Sequence, residues 1–443
     1  MRLSWLIAGA CLTAATPISA TDDEFEQFSA NYMQEFEQFS MSYMDEFEQY
    51  QQQYLAALDQ YRGTVLSNWD DGALSDNKAY VSYSDDQNIR TQVDFDQQQV
   101  VISVVHEPGQ TPSPQQIQQQ LDKLTQLTVA QAAANDPIES TKGSVSASQQ
   151  AVVPSLNQAS KSDLDKMFAL ATVATRERHY DKARLATLEK QIEQQEQASA
   201  IALEQQLADN QQDGELRQAQ ARITQRAKQR QTKLAQEYAK RINDPAKKQI
   251  TSYTISLPKD KLEQQVQPYL ADAVTQAEKW QIDLSLVLAI MRAESSFNPM
   301  ARSHIPAFGL MQIVPASAGL DVNQTLFNIK QKPSSTQLYQ APYNTQIGSA
   351  YLHILNSRYL KGITNPKSRR YCVIAAYNTG AGNVAKAFNS DHSRSVKKAL
   401  TAINNMQPDE VYQHLLGNLP YSETQNYLAK VTKYDREFQQ LRL

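Results

Sequence analysis

The stretch IMRAESSFNPMARSHIPAFGLMQI, Ile290 to Ile313, carries the plainest chemical content in the 443-residue sequence. Glu294 closes the apolar run IDLSLVLAIMRAE and is followed by small polar residues and a Gly-Leu-Met-Gln turn. Leu284, Leu286, Val287, Leu288, Ile290 and Met291 leave almost no polar face, so the pattern predicts a helix through the centre of a core. Its last turn would deliver Glu294 to the wall of a cleft. A carboxyl half-buried there, near the negative end of the helix dipole, should keep its proton near neutrality and suit a general acid. The competing reading is a glutamate that caps the helix or pairs with Arg292. Cleavage of a glycosidic bond usually engages two carboxylates, and this stretch offers one.

Further residues share this chemistry. Asn298 and Pro299 end the helix, and Phe297 can pack back on the core. SHIPAFGLMQI then supplies Ser303, small residues at Ala307 and Gly309, and Gln312, whose amide can bond an N-acetyl or hydroxyl group. AAYNTGAGNV sets Tyr377 and Asn378 at the end of another apolar helix, before a Gly-rich turn where backbone can approach a ligand. LPYSETQNYLAKV places Glu423 and Tyr427 four residues apart, on one helix face. Cys372 sits among apolar neighbours and reads as a buried structural thiol.

In order, ESSFNP, GLMQI, AAYNTGAGNV and ETQNYLAKV resemble the motifs of the lytic transglycosylases of the soluble-transglycosylase, goose-type-lysozyme-like superfamily. NPKSRRYCVIAAYN and YVSYSDDQNIRTQVDF are similar to stretches of its membrane-bound murein members. The resemblance covers about 63–105 and 249–443. It implies cleavage of the β-1,4 bond between N-acetylmuramic acid and N-acetylglucosamine in peptidoglycan, with 1,6-anhydromuramic products and no water consumed. Glu294 would act first as acid and then as base. The resemblance further implies that Ser303, Gln312, Tyr377 and Asn378 position the sugar and its N-acetyl group, that Glu423 and Tyr427 shape the cleft, and that no metal or cofactor is used. Thr379-Gly380 stands where Gly-Gly is common, and Gln425 where Arg is usual. Two other readings are a hydrolytic muramidase of the goose-lysozyme kind and a non-catalytic protein that binds the cell wall.

The elements that must hold these residues read as α+β overall. From residue 259 onward helical periodicity dominates, so 259–443 is expected to be an all-helical, lysozyme-like domain. Residues 63–258 are expected to form a small N-terminal α+β domain. Its strands are sought in Ala79 to Val105 and in Gln249 to Leu257, and Gln115 to Ala134 reads as helical. Ile138 to Ser162, rich in Ser, Gln and Ala, reads as a surface connection. A Gln-rich insert over about 162–242 reads as two antiparallel helices joined at Asp213-Gly214, with Arg222, Arg226, Lys228, Arg230 and Lys233 on a solvated face.

Ahead of it, DEFEQFSANYM, QEFEQFSMSYM and DEFEQYQQQYL repeat one 11-residue unit. Phe25, Phe28, Tyr32, Phe36, Phe39, Tyr43, Phe47, Tyr50, Tyr54, Leu58 and Tyr61 make a nearly straight stripe on one long helix over 21–62. That stripe, over 23–61, would pack on the chain's own second helical segment, on a coiled-coil partner, or on another copy. MRLSWLIAGACLTAATPISATDDE has the layout of an export signal over 1–20, with cleavage after Ala20, and a lipid-anchored form through Cys11 is the alternative. The expected location is the periplasm, with peripheral outer-membrane association as the companion of that second form. With 43 basic and 47 acidic residues and a formal net charge of -4, there is no basic excess to neutralise phosphates, which argues against a nucleic-acid partner.

Overall fold

Alternation of buried and open side chains builds the sheet. Five antiparallel strands run in the order β1-β2-β3-β5-β4: β1 Ala79–Tyr83, β2 Ile89–Asp94, β3 Gln99–His106, β4 Thr172–Glu177 and β5 Gln249–Ser256. Their register lays Tyr80, Val93, Val100 and Ile255 in one row, all buried. With side chains alternating between the two faces, one such row commits the whole face to the core. The computed structural model describes residue 49 and residues 51–136, 138, 148–206, 213–242, 247–257, 262–303 and 307–441. The export signal with Ala20 and Cys11, the hendecads up to residue 48, and the insert's 207–212 lie outside these.

The first described helix, α1 (51–65), leads to Val65 and Trp69, which cover the second face of the sheet at Val105 and Ile250. On the first face lie α2 (Pro114–Gln126), through Ile117 and Leu121, and α3 (Val129–Ala134), started by a capping box between Thr128 and Gln131. The expected surface connection is corrected in part. Val152, Val153 and Leu156, at α4 (Pro154–Asn157), are buried in the same core, because a bridge between Thr128 and Ala151 draws that segment inward.

The insert is also shorter than expected. α5 (Lys161–Ala169) leads into β4, an edge strand whose side chains are almost all exposed, and only then does the hairpin begin. Asp213 and Gly214 open its second helix rather than forming the turn. The hairpin pair, α6 (Lys182–Gln206) and α7 (Asp213–Ile242), packs Leu188, Ile192, Leu234 and Tyr238 with Leu66 and Tyr180. Two of the basic residues read as solvated are not. Arg226 and Arg230 both pair with buried Glu196, at 2.6 and 3.0 Å, and Arg230 also holds Asp59 of α1 at 2.6 Å. The described part of the N-terminal helix therefore docks on the chain's own hairpin.

From α8 (Leu262–Trp280) onward the described residues are helical, with only isolated bridges at Arg302, Phe308 and Ile313. α9 (Leu284–Ser295) runs through the middle, with Leu286 to Met291 and Ala293 buried. Around it come α10 (Leu320–Leu326), α11 (Ser335–Leu338), α12 (Ala341–Ile354), α13 (Pro366–Thr379), α14 (Ala381–Phe388), α15 (Val396–Asn404), α16 (Pro408–Asn418) and α17 (Ser422–Gln440). Sheet and helices share one continuous apolar cluster, which includes the buried thiol of Cys372. No described helix is long and apolar enough to cross a membrane.

Candidate active site

α9 ends at Ser295, three residues before the Asn298-Pro299 pair that the sequence reads as its stop. Ser296 and Phe297 turn left-handed, at φ 50° and 66°, and Phe297 stacks on Tyr269 with ring centres 6.2 Å apart. The buried Ser295 hydroxyl donates to the Leu310 carbonyl at 2.8 Å and accepts from the Phe297 N–H, tying the helix end to the GLMQ turn. Glu294 sits two residues before this break, partly exposed. It is not spent on Arg292, which turns away to Glu437 at 2.5 Å and to the face of Tyr434.

The Tyr427 hydroxyl donates to Oε1 of Glu294 at 2.7 Å. Tyr427 reaches it because α17 lies along α9, with Tyr427, Leu428 and Val431 buried in the contact. Burial raises the Glu294 carboxyl, the Tyr427 hydrogen bond and the charges of Lys78 and Lys430 oppose it, and Glu423 repels it; the balance is a pKa of about 7. Burial and the nearby Glu294 charge push Tyr377 and Tyr427 well above ten, so both remain donors. Glu423 lies exposed one turn before Tyr427.

The GLMQ turn is fixed from three sides. Gly309 takes φ 73°, and a Cβ there would sit 2.3 Å from the Leu338 carbonyl oxygen. Buried Asn344 accepts from the Met311 N–H at 2.8 Å and donates to the carbonyls of Phe308 and Leu338. The Tyr377 hydroxyl donates to the Met311 carbonyl at 2.9 Å. Gln312 then sits at φ 47°, its amide nitrogen on the Gly309 carbonyl and its buried Oε1 without a protein partner. Asn378 accepts from Thr424 at 2.7 Å, joining the ends of α13 and α17. Beyond it Gly380, at φ 82°, faces open space. Ser303 lies on the other limb of the turn, its N–H donating to the Ala307 carbonyl at 3.0 Å.

Glu294, Tyr427, Tyr377, Gln312 and Asn378 are thus brought together by the ends of three helices and one turn. Sequence reasoning missed Asn344 and Thr424, and also Lys430, although Lys430 stands three residues after Tyr427 on the same helix. It missed Asn77 and Lys78 as well, which approach from the sheet and have no local signal. A cavity of about 380 Å³ lined by Asp283, Leu286, Arg369 and Arg370 lies at the opposite ends of α9 and α13 and takes no part.

Residues 273–400 match the protein family described as the transglycosylase SLT domain. The matched stretch holds Glu294, Ser303, Gln312, Tyr377 and Asn378, while Glu423 and Tyr427 lie beyond it. The chain is similar to the membrane-bound lytic murein transglycosylase C of Sodalis glossinidius (strain morsitans), at 44% identity over 43% of this chain and 52% of that one. It is similar to the protein of the same name from Serratia proteamaculans (strain 568), at 46% identity over 43% of this chain and 51% of that one. It spans about half the length of the curated relatives it matches. The 70 kDa soluble lytic transglycosylase of Escherichia coli is 26% identical over 39% of this chain and 24% of that one, with a TM-score of 0.29, too loose to add to this.

Proposed function

We propose that this chain is a peptidoglycan lytic transglycosylase that cleaves the β-1,4 bond between N-acetylmuramic acid and N-acetylglucosamine without water. The observation that carries the reading is the Glu294 carboxyl at the end of α9, bonded by Tyr427 at 2.7 Å within the stretch that matches the transglycosylase SLT domain, where burial pushes its pKa up to about 7. A group poised near neutrality can both give and take a proton. Glu294 donates its proton to the glycosidic oxygen as the C1–O bond breaks, and the departing sugar leaves with a hydroxyl. The muramyl C6 hydroxyl then attacks C1 and passes its proton to the Glu294 carboxylate. A 1,6-anhydro ring forms and Glu294 returns to its starting state, so a single carboxylate serves both steps.

Within this proposal, Gln312 offers its unpartnered Oε1 to a sugar N–H or hydroxyl. Tyr377 and Asn378 hold the facing wall, Ser303 contributes at the far limb of the turn, and Glu423 with Tyr427 shapes the cleft. We assign residues 259–443 to catalysis, 63–258 to the sheet and its helical insert, 21–62 to the hendecad segment, and 1–20 to an export signal. The relatives' names place them at a membrane, which supports an envelope location for this chain.

Mass spectrometry of products from purified sacculi tests the reaction. Muropeptides ending in 1,6-anhydromuramic acid are the expected result. Reducing muramic ends would overturn it in favour of a hydrolase and would direct attention to Glu423 as a second carboxylate. No release, by wild type and Glu294→Gln alike, would leave a wall-binding protein.

A further inference from the structure

We propose that Lys78, on the segment leading into β1, is a positioning residue for Glu294: it clamps the last turn of α9 and sets a fixed positive charge beside the carboxyl that must ionise. This rests on the acid-base reading of Glu294 given above.

The last carbonyls of a helix look beyond it for partners, and those of Arg292, Ala293 and Glu294 close α9 around the reacting residue; the Arg292 carbonyl also keeps the Ser296 N–H at 3.1 Å. Lys78 Nζ donates to the carbonyls of Arg292 and Ala293 at 3.0 and 2.9 Å and to Oγ of Ser296 at 3.0 Å. All three ammonium protons are therefore directed at one helix end. Its neighbour Asn77 donates to the carbonyl of Glu294 itself at 2.9 Å. The clamp is held rigid in turn. Asp76 accepts the backbone N–H groups of Lys78 and Ala79, both at 2.7 Å, and Ser296 donates to Asp96, beside the end of β2, at 2.8 Å.

The groups that face Glu294 come from three directions. α17 supplies Tyr427, Lys430 and Glu423, α13 supplies Tyr377, and the sheet region supplies Lys78, with Asp76 and Asp96 beside it. Lys430 donates to the Ala293 carbonyl at 3.2 Å from an exposed position, so its charge is better screened than that of the partly buried Lys78. Once Glu294 has given up its proton, the Lys78 charge stabilises the carboxylate that must wait for the second transfer. Burial lowers Lys78 to about 8, so the clamp is mostly charged where Glu294 works and weakens as pH rises through that value. The sheet thereby becomes part of the reaction centre.

The test uses the full chain as wild type, Lys78→Met, Lys78→Gln and Lys78→Arg. Difference infrared spectroscopy against Glu294→Gln follows the Glu294 carboxyl with pH in the absence of glycan, and steady-state kinetics follow soluble glycan fragments. In Lys78→Met and Lys78→Gln the Glu294 titration should move up by about one pH unit, because an opposing charge has gone. The kcat should fall about tenfold or more with KM within about twofold, and Lys78→Arg should recover part of both. If Lys78→Met does not fold, Lys78→Gln, which keeps two donors without the charge, decides the question. An unmoved titration in an active, folded variant overturns the clamp and leaves the transglycosylase reading standing. A wild type that releases no product while its Glu294 titration still follows Lys78 overturns that reading and supports the clamp.

Discussion

Glu294 is asked to hold a proton and to give it up, and its surroundings divide that labour. Burial favours the neutral form, while Tyr427, Lys78 and Lys430 favour the charged one. Glu294→Gln keeps the shape and removes the exchangeable proton, so product release should fall by about 10²- to 10⁴-fold, measured as anhydromuropeptide yield. The same substitution should stabilise the fold. Unfolded, the carboxyl titrates near 4.5; folded, at about 7. Between these values the native state keeps a proton that the unfolded chain releases, so a native-state penalty grows as pH rises and is complete above 7. At roughly 3 kcal/mol it should appear as a higher denaturation midpoint for Glu294→Gln at pH 8, shrinking towards pH 4. Tyr427→Phe removes the donor that lowers this pKa. Its alkaline limb in kcat/KM should therefore move to higher pH than wild type, and an unchanged limb would count against the 2.7 Å bond acting on the acid.

At the scale of elements, what holds the site is the GLMQ turn between α9 and α12. Gly309→Ala should fail there for two reasons: an unfavourable positive φ, and a Cβ placed 2.3 Å from the Leu338 oxygen and 2.4 Å from the Asn344 amide nitrogen. A loss of about 2 kcal/mol or more in urea unfolding is expected, with kcat falling further than the unfolded fraction explains, because Met311 and Gln312 ride on the same turn. The ends of α9, α13 and α17 were legible because each joins an apolar helix to polar residues with turn or helix-face spacing. β4 was not, since its Thr-Val-Ala-Thr-Arg-Glu shows hardly any buried side to make an alternation. Arg226 and Arg230 misled because a basic helix face reads as solvated until Glu196 and Asp59 are known to oppose it. Asn77 and Lys78 reach Glu294's helix across more than 200 residues, a contact that no local pattern encodes.

For the whole molecule, the junction that binds sheet, insert and N-terminal helix is Asp70, whose side chain is fully buried. It accepts from Arg176 on β4 at 2.5 and 2.7 Å and from the His179 N–H at 2.7 Å, and it pairs with Arg184 at the base of α6 at 3.1 Å. Its own carbonyl accepts from Tyr238 of α7 at 3.1 Å. Burial alone would raise this carboxyl, but the Arg176 and His179 hydrogen bonds and the two arginine charges outweigh it and hold the pKa below 3.8. The stability Asp70 contributes is therefore present above 3.8 and lost as pH falls through the lower folded value. Asp70→Asn keeps the volume but leaves Arg176 and Arg184 with their longer contacts to Asp71 and Asp181, at 3.8 and 3.6 Å, which should cost about 2 kcal/mol at pH 7. The gap to wild type should close below pH 4, opposite in sign to the Glu294→Gln gap, which opens as pH rises. Denaturant unfolding of both variants from pH 3 to 8 separates the two carboxylates. A gap for Asp70→Asn that stays constant over that range would mean that packing, rather than charge, holds the junction.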